Sequence, residues 1–267
     1  MIAAVVQMTS TEDVEQNLVR AAQWIARAAE AGAGLVALPE NFAYMREEGA
    51  GANPAAQNLD GPLVGFVRDQ AKRHGIVLAG GTIPEAVPGD SRVFNTAVLA
   101  GPNGELLASY RKIHLFDVDL PGASLRESKG VAPGNRPVVA DTPLGRIGLS
   151  VCYDVRFPEL YRILVREGAR ILLIPSAFTV PTGSDHWEVL LRARAIENQA
   201  FVIAAAQHGI HNARRRSYGR SLIVDPWGLV LAQAADGEGL ALAELDFTRQ
   251  DQIRERLPAL RHRRLDG

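Results

Sequence analysis

The sequence predicts an α/β fold in which two sheets pack face to face with helices outside. Two observations carry that prediction. A strand–helix–strand pattern occurs twice, near the start and again past the middle, and the segments between and after read as β-hairpins. With 267 residues, 47% hydrophobic and 22% charged, the chain is long enough to bury one large core, and no low-complexity linker divides it. A single domain over residues 1–267 is expected.

The first unit opens with the short apolar strand "IAAVVQ" and continues into "STEDVEQNLVRAAQWIARAAEAGA". Ser10, three residues before Asp13, reads as a capped helix start, and Leu18, Ala22, Ile25 and Ala29 recur at helical spacing. After Gly32, "GLVALPE" is too short and too apolar for another surface helix and reads as a buried strand closed by Pro39. The unit returns as "GRIGLSVCYD" (strand), "PELYRILVREGA" (helix) and "RILLIPSA" (strand, ending at Pro175). Matching "AGAGLVALPE" to "EGARILLIPS" puts Glu40 and Ser176 at equivalent strand ends, while Cys152 closes the first strand of the second unit. Functional groups in such sheets gather at the carboxyl ends of strands. Pro102-Asn103-Gly104, Pro226-Trp227-Gly228 and Asp236-Gly237 mark hairpin turns. Residues 47–62, "EEGAGANPAAQNLDGP", form a Gly/Ala-rich loop, either a surface excursion or a cover over a site.

A net charge of -1 gives no general pull toward nucleic acid or an anionic membrane. The start "MIAAVVQMTS" has neither a basic n-region nor an apolar stretch long enough for a signal or a span. One cysteine forbids an intramolecular disulfide, which fits a reducing, cytoplasmic setting. The six histidines (His74, His114, His186, His208, His211, His262) stand in no metal-ligand spacing, so no metal is expected. A small-molecule partner is the remaining expectation.

Three residues carry possible chemistry. A lone cysteine is by composition a buried small hydrophobe, yet Cys152 sits where a buried strand breaks into Tyr153-Asp154 before a helix start near Pro158, a place for an exposed thiol. A nucleophilic thiol needs a base. No histidine stands at an evident strand end, whereas "LVALPEN" leaves Glu40 at the mouth of an apolar strand, where desolvation would raise its pKa toward the working range. An ordinary carboxylate facing water is the alternative. Lys112, in "ELLASYRKIHLF", and its neighbour Arg111 must face opposite ways, so one of them can place a positive charge in a cleft where an oxyanion develops; a solvated lysine is the plain reading.

Taken together, "LPEN", "YRKIHLFD" and "SVCYDVRFPEL" in the order Glu, Lys, Cys resemble the nitrilase superfamily of carbon–nitrogen hydrolases. The resemblance runs nearly the whole length, from "AVVQMTS" through "GGTIPE" and "FNTAVLAGPNGELLASYRKIHLFD" to "VDPWG" and "RHRRLD". It implies a four-layer α-β-β-α sandwich of the nitrilase type, paired with a second copy as a homodimer or higher homo-oligomer. It also implies a nucleophile at Cys152, a general base and acid at Glu40, an oxyanion-stabilising Lys112 helped by the backbone N–H of Tyr153, and a second glutamate at Glu127 that orients Glu40 and Lys112. No cofactor is implied.

"PSAFTVPTGSDHWEVLLRARAIENQAFVIAAAQHG" and "SYGRSLIVDPWG" resemble most the branch of amidases acting on deaminated glutathione; amidases acting on 2-oxoglutaramate, or on other aliphatic or carbamoyl amides, are the alternative. A substrate with two carboxylates and a 2-oxo group needs cations and donors near Cys152. Arg156 and the run Arg214-Arg215-Arg216 are available, although Arg156 can equally pair with Glu159 or Asp154 and the run can be a solvated loop. Ser176 and Phe178 at the second strand end, with Thr179, Thr182 and His186 in a loop before a helix, complete the expected pocket, capping of that helix being the alternative for the last three. In the tail, Leu257, Leu260 and Leu265 are available to pack on a second subunit, terminal fraying being the equal alternative.

Overall fold

A computed structural model describes residues 1–47, 52–120 and 123–265. The first half runs β1 (Ile2–Gln7), α1 (Val14–Glu30), β2 (Ala33–Ala37), α2 (Pro62–His74), β3 (Val77–Ala86), β4 (Val93–Ala100) and β5 (Leu106–Arg111). A connecting region holds the hairpin of β6 (Asp117–Leu120) and β7 (Ala123–Arg126), then β8 (Val131–Ala132). The second half is β9 (Val138–Thr142), β10 (Gly145–Leu149), α3 (Pro158–Arg166), β11 (Ile171–Leu173), α4 (Val180–Asn198) and β12 (Phe201–Ala204). It continues through β13 (His208–Ile210), β14 (Arg216–Tyr218), β15 (Leu222–Val224), β16 (Val230–Gln233), β17 (Gly239–Glu244) and α5 (Phe247–Arg256).

One sheet has the order β17-β1-β2-β3-β4-β5, with β8 beside β4; the other has the order β16-β15-β12-β11-β10-β9. In each, three neighbouring strands are parallel (β1-β2-β3 and β10-β11-β12) and the flanking strands are antiparallel. The doubled unit read from the sequence is thus a doubled sheet. The turn at Asp236-Gly237 does not close a hairpin within one sheet, because β17 crosses over and pairs with β1.

Period-two alternation explains the layers. Ala3, Val5, Leu35, Ala37, Val77 and Ala79 point between the sheets, in one core cluster with Ile147, Leu149, Ile171 and Leu173. The residues between them (Ala4, Val6, Val36 and Leu78) point the other way, onto Ala21, Ile25 and Ala28 of α1 and Leu63, Val67 and Ala71 of α2. On the far side Leu160 and Leu164 of α3 and Trp187, Leu191 and Ala195 of α4 cover the second sheet. The architecture is α-β-β-α. Each fully buried Leu, Ile or Val contributes about 1.5–3 kcal/mol relative to exposure, so these interleaved layers are the main source of stability.

Local details depart from the sequence reading in physically clear ways. The N-cap of α1 is Asp13, whose carboxylate accepts from Gln16 N–H, while Ser10 is buried and donates to the Phe42 carbonyl at 2.7 Å. The buried stripe of α1 centres on Asn17, Ala21, Ile25 and Ala28, with Leu18, Ala22 and Ala29 at its margins. The helix α2 was not foreseen; Pro62 at its first turn and Gly75 at φ +63 after its last are its boundary signals. Thr182 and His186 lie inside α4 rather than in a loop before it. No helix among the described residues is long and apolar enough to cross a membrane.

Candidate active site

The ends of β2, β5 and β10 open into one cleft of about 930 Å³, and Glu40, Lys112 and Cys152 all line it. Each arrives there by a distinct device. Glu40 follows Pro39 past the end of β2. Gly81 lies beneath it at φ +58, where a Cβ would stand 2.1 Å from the Pro39 carbonyl oxygen, so only glycine lets β3 pass so close. Lys112 follows β5, and alternation turns its side chain inward while Arg111 points out to pair with Glu85 at 2.5 Å.

Cys152 lies three residues beyond β10, at the head of a 3-10 turn, Cys152–Arg156, rather than on the strand. Its φ is +49, a left-handed conformation that costs a residue with a Cβ about 1–3 kcal/mol. The turn is held against that strain. Cys152 N–H donates to the Pro175 carbonyl at 3.0 Å. The fully buried Asp154 accepts from Val151 N–H and the Tyr110 hydroxyl, each at 2.8 Å, and from His114 N–H at 3.0 Å and Nδ1 at 2.7 Å. One carboxylate therefore ties the thiol's turn to the segment flanking Lys112. Pro158 then starts α3 in its first turn, the position where a missing N–H costs nothing.

The charged groups interlock. Lys112 Nζ donates to Glu40 Oε1 at 3.2 Å and to Glu127 Oε1 and Oε2 at 2.9 and 2.8 Å. Glu127, from a 3-10 turn after β7, also accepts from Phe116 N–H at 2.7 Å. Lys112 and Glu40 are each 2% exposed, so both charges depend on one another and on hydrogen bonds rather than on water. Burial alone would lower the Lys112 pKa, but Glu127 and Glu40 hold it above the ordinary lysine range. Burial pushes the Cys152 thiol well up, the Glu40 charge adds to this, and Lys112 and the Ala177 backbone N–H oppose it, so the resting group is the thiol.

Glu40 departs from the expectation of a raised carboxyl. Burial does push it up, but the Lys112 charge, the nearby Cys152 thiol, Arg215 and Asn95 outweigh burial and hold it below its ordinary value. At rest a charged carboxylate thus stands beside a thiol that keeps its proton, next to a fixed cation. Among the described residues Tyr153 N–H donates to no protein group, so it is available to an oxyanion.

The remaining expected positions divide. Phe178, Thr179 and Thr182 line the cleft, and the hydroxyls of the two threonines are 2.8 Å apart; Thr179 makes no capping hydrogen bond to α4. Ser176, Arg156 and His186 are not lining residues. Ser176 is fully buried and donates to the Ile174 carbonyl. Arg156 pairs with neither Glu159 nor Asp154; its guanidinium lies 3.3 Å from His186 Nδ1 and over the Tyr153 and Phe178 rings at 5.8 and 5.5 Å. Of the arginine run, Arg214 and Arg215 line the cleft and Arg216 does not. Ala52 and Asn53 of the 47–62 loop also line it, and residues 48–51 lie outside the described residues. Sequence reasoning missed Asn95, Arg46, Arg126 and Lys129, which also line the cleft; Asn95 lies within a resembling stretch but nothing local marks it as a site residue.

Residues 2–255 match the family model for carbon–nitrogen hydrolases. A deaminated glutathione amidase of Synechocystis sp. (strain PCC 6803 / GT-S) is 46% identical over 266 residues, 98% of this chain and 97% of that protein. The crystal structure of Saccharomyces cerevisiae Nit3, a member of branch 10 of the nitrilase superfamily, is similar with a TM-score of 0.89 and 34% identity over 99% of this chain and 97% of that one. A variant of the amidase from Nesterenkonia sp. AN1, with the acetamide moiety of fluoroacetamide added covalently at its active-site cysteine, is similar with a TM-score of 0.79 and 29% identity over 99% of this chain and 94% of that one.

Proposed function

The chain belongs to the carbon–nitrogen hydrolase family and is an amidase, and from that premise we propose that it hydrolyses the amide of deaminated glutathione through a thioester on Cys152. The observation that carries the mechanism is the meeting of a thiol, an anionic carboxylate and a buried ammonium in one cleft. Glu40 takes the thiol proton as sulfur bonds to the amide carbon, and Lys112 with Tyr153 N–H receives the charge developing on oxygen. Glu40 returns the proton to the nitrogen, the carbon–nitrogen bond breaks, and the amine departs. Glu40 then removes a proton from water, which attacks the thioester; the carboxylate product leaves and the thiol regains its proton. Glu127, bonded to Lys112 through both oxygens, keeps the ammonium in place through both steps.

The substrate reading draws on the named relative and on the cleft. Cleaving the amide that joins the 2-oxo-acid arm releases 2-oxoglutarate and cysteinylglycine, and the two carboxylates of the intact substrate suit a cleft bordered by Arg46, Arg126, Lys129, Arg214 and Arg215. Arg215 lines the cleft and its charge acts on Glu40, which supports a role for it toward the 2-oxo-acid arm. The test is 2-oxoglutarate formation from deaminated glutathione and from 2-oxoglutaramate, side by side, with Cys152→Ala as control. A higher kcat/KM on the first, abolished in the control, supports the reading. A preference for the second moves the chain to the 2-oxoglutaramate amidases with the same mechanism, and activity surviving in Cys152→Ala sinks the nucleophile.

A cytoplasmic homodimer completes the proposal. The lone cysteine needs no oxidising compartment. Val189 and Ile196 of α4, 67% and 50% exposed, lie on the same side as Trp227 and Leu229 of the β15–β16 turn, 52% and 49% exposed, an apolar face suited to a second copy. Sedimentation that finds only monomer overturns this part.

A further inference from the structure

Glu40 has to give and take protons through an oxygen that faces the reacting atoms, yet a carboxylate has two oxygens and can rotate. Among the described residues both nitrogen donors to its carboxylate fall on Oε1: Asn95 Nδ2 donates at 2.8 Å and Lys112 Nζ at 3.2 Å. Oε2 takes neither of these bonds, and the Cys152 thiol is hydrogen-bonded to the same carboxylate. The same Asn95 amide reaches Glu127 Oε1 at 3.4 Å, so its two N–H groups span both carboxylates that Lys112 bridges. Asn95 also accepts Lys112 N–H on its backbone carbonyl at 2.9 Å. A single residue of β4 thus braces the base, the second glutamate and the backbone of the cation.

The other end of the amide strengthens the point. Asn95 is 6% exposed, and its Oδ1 is buried with no hydrogen-bond partner. Turning the amide over would aim that oxygen at two carboxylates, so the observed orientation is forced. An orphaned acceptor is costly, and its presence here marks a residue held for its donor end.

We infer that Asn95 is a positioning residue which commits Glu40 Oε1 to a fixed hydrogen-bond bracket and leaves Oε2 as the oxygen that shuttles the proton between Cys152, the leaving nitrogen and water. The inference rests on the assignment of Glu40 and Cys152 as base and nucleophile. The charged and titratable groups around Glu40 are Lys112 after β5, Cys152 in its turn, Glu127 after β7 and Arg215 between β13 and β14. Removing a donor to the charged form raises a carboxyl pKa, so loss of Asn95 should show in the acid limb of activity.

The test compares full-length Asn95→Ala and Asn95→Asp with the parent. It measures kcat and KM across pH and, without substrate, the rate of Cys152 alkylation by iodoacetamide across pH. For Asn95→Ala the expected result is a kcat lower by about 10²-fold with KM little changed. Its acid limbs of kcat/KM and of alkylation should both move to higher pH. The near-isosteric Asn95→Asp donates only while its carboxyl holds a proton, so its activity should fall with rising pH where the parent is flat. A folded Asn95→Ala variant with the parent's kcat and acid limb, or an Asn95→Asp profile that superimposes on the parent, overturns the inference; if the alanine variant fails to fold, the aspartate variant decides. Cys152→Ala separates the two levels. If it stays active the underlying assignment falls, and if it is dead while both Asn95 variants match the parent, only the bracket falls.

Discussion

The two halves of the molecule share a plan and differ in what their strand ends carry. Leu38 N–H donates to the Ala79 carbonyl as Ile174 N–H donates to Ile203, and Lys112 N–H donates to Asn95 as Ala234 N–H donates to Ser221. With the registers of β1–β2 and β10–β11, these bonds make Met8, Glu40, Asn95 and Lys112 of the first half equivalent to Cys152, Ser176, Ser221 and Ala234 of the second. Because each sheet stacks against the other, the first half's Glu40, Asn95 and Lys112 meet the second half's Cys152. The converse corner gathers Met8, Ser176, Ser221 and Ala234, none more than 3% exposed. There Gln7 donates to the Ala235 and Gly237 carbonyls and accepts from Ser221 N–H, while Gln207 donates to Ser10 Oγ and the Glu40 carbonyl. One corner is an open cleft with balanced charges; the other is closed by neutral amides. The repeated fold supplies two places for chemistry, and unlike residues at matching positions leave only one reactive.

The contrast breaks most forcefully where the first half is given the residue of the second. Lys112→Ala, which copies Ala234, leaves Glu40 and Glu127 together without their cation, and removing one member of a buried ionic cluster costs about 3–5 kcal/mol. Urea unfolding should register that loss, and amide hydrolysis should fall by about 10²–10³-fold. Parent-like stability would mean the two carboxylates do not depend on Lys112.

The second half has the insertion β13–β14 where the first half passes straight from β3 to β4, and this insertion makes a milder test. His211, at the start of the loop joining β13 to β14, is bonded to the Ser10 carbonyl and Ser217 Oγ, and burial lowers its pKa from 6.5 to about 4. The folded chain binds this proton less tightly than the unfolded one. Stability from His211 is therefore complete above pH 6.5 and lost as pH falls toward about 4, by about 3 kcal/mol. Thermal unfolding across that window should show the slope, and His211→Asn should flatten it; an unchanged slope would place the acid sensitivity elsewhere.

The smallest effect is expected at Ser176, the counterpart of Glu40. Ser176→Ala removes one buried hydrogen bond to Ile174, worth about 1 kcal/mol, and should leave kcat and KM alone because the side chain does not line the cleft. A several-fold rise in KM would return Ser176 to the substrate site.

What could be read in the sequence followed from local rules. The doubled strand–helix–strand unit, the Glu40–Ser176 correspondence and the opposite facing of Arg111 and Lys112 all come from periodicity, which survives folding unchanged. The direction of the Glu40 shift did not, because it is a contest between burial and charges arriving from β5 and from the insertion. Ser176, Arg156 and His186 do not line the cleft for a related reason: closeness in sequence to the thiol or the strand end does not say which way a side chain turns. Asn95 lay inside a stretch already noted for its resemblance, but nothing local marks an amide that will touch two glutamates distant in the chain.

The pairing of β1 with β17, from Ile2 opposite Glu244 to Gln7 opposite Gly239, has a consequence in time. A ribosome delivers β1 long before β17. Throughout synthesis of everything between, one edge of the first sheet stands open, with unpaired backbone groups ready to join a neighbouring nascent chain. The glutamates and the lysine emerge before the thiol does, yet the sheet that bears them is sealed on that edge only by β17, the last of its own strands in chain order. Contacts of such long sequence separation form slowly, so this edge stays unpaired until β17 has been made and has docked.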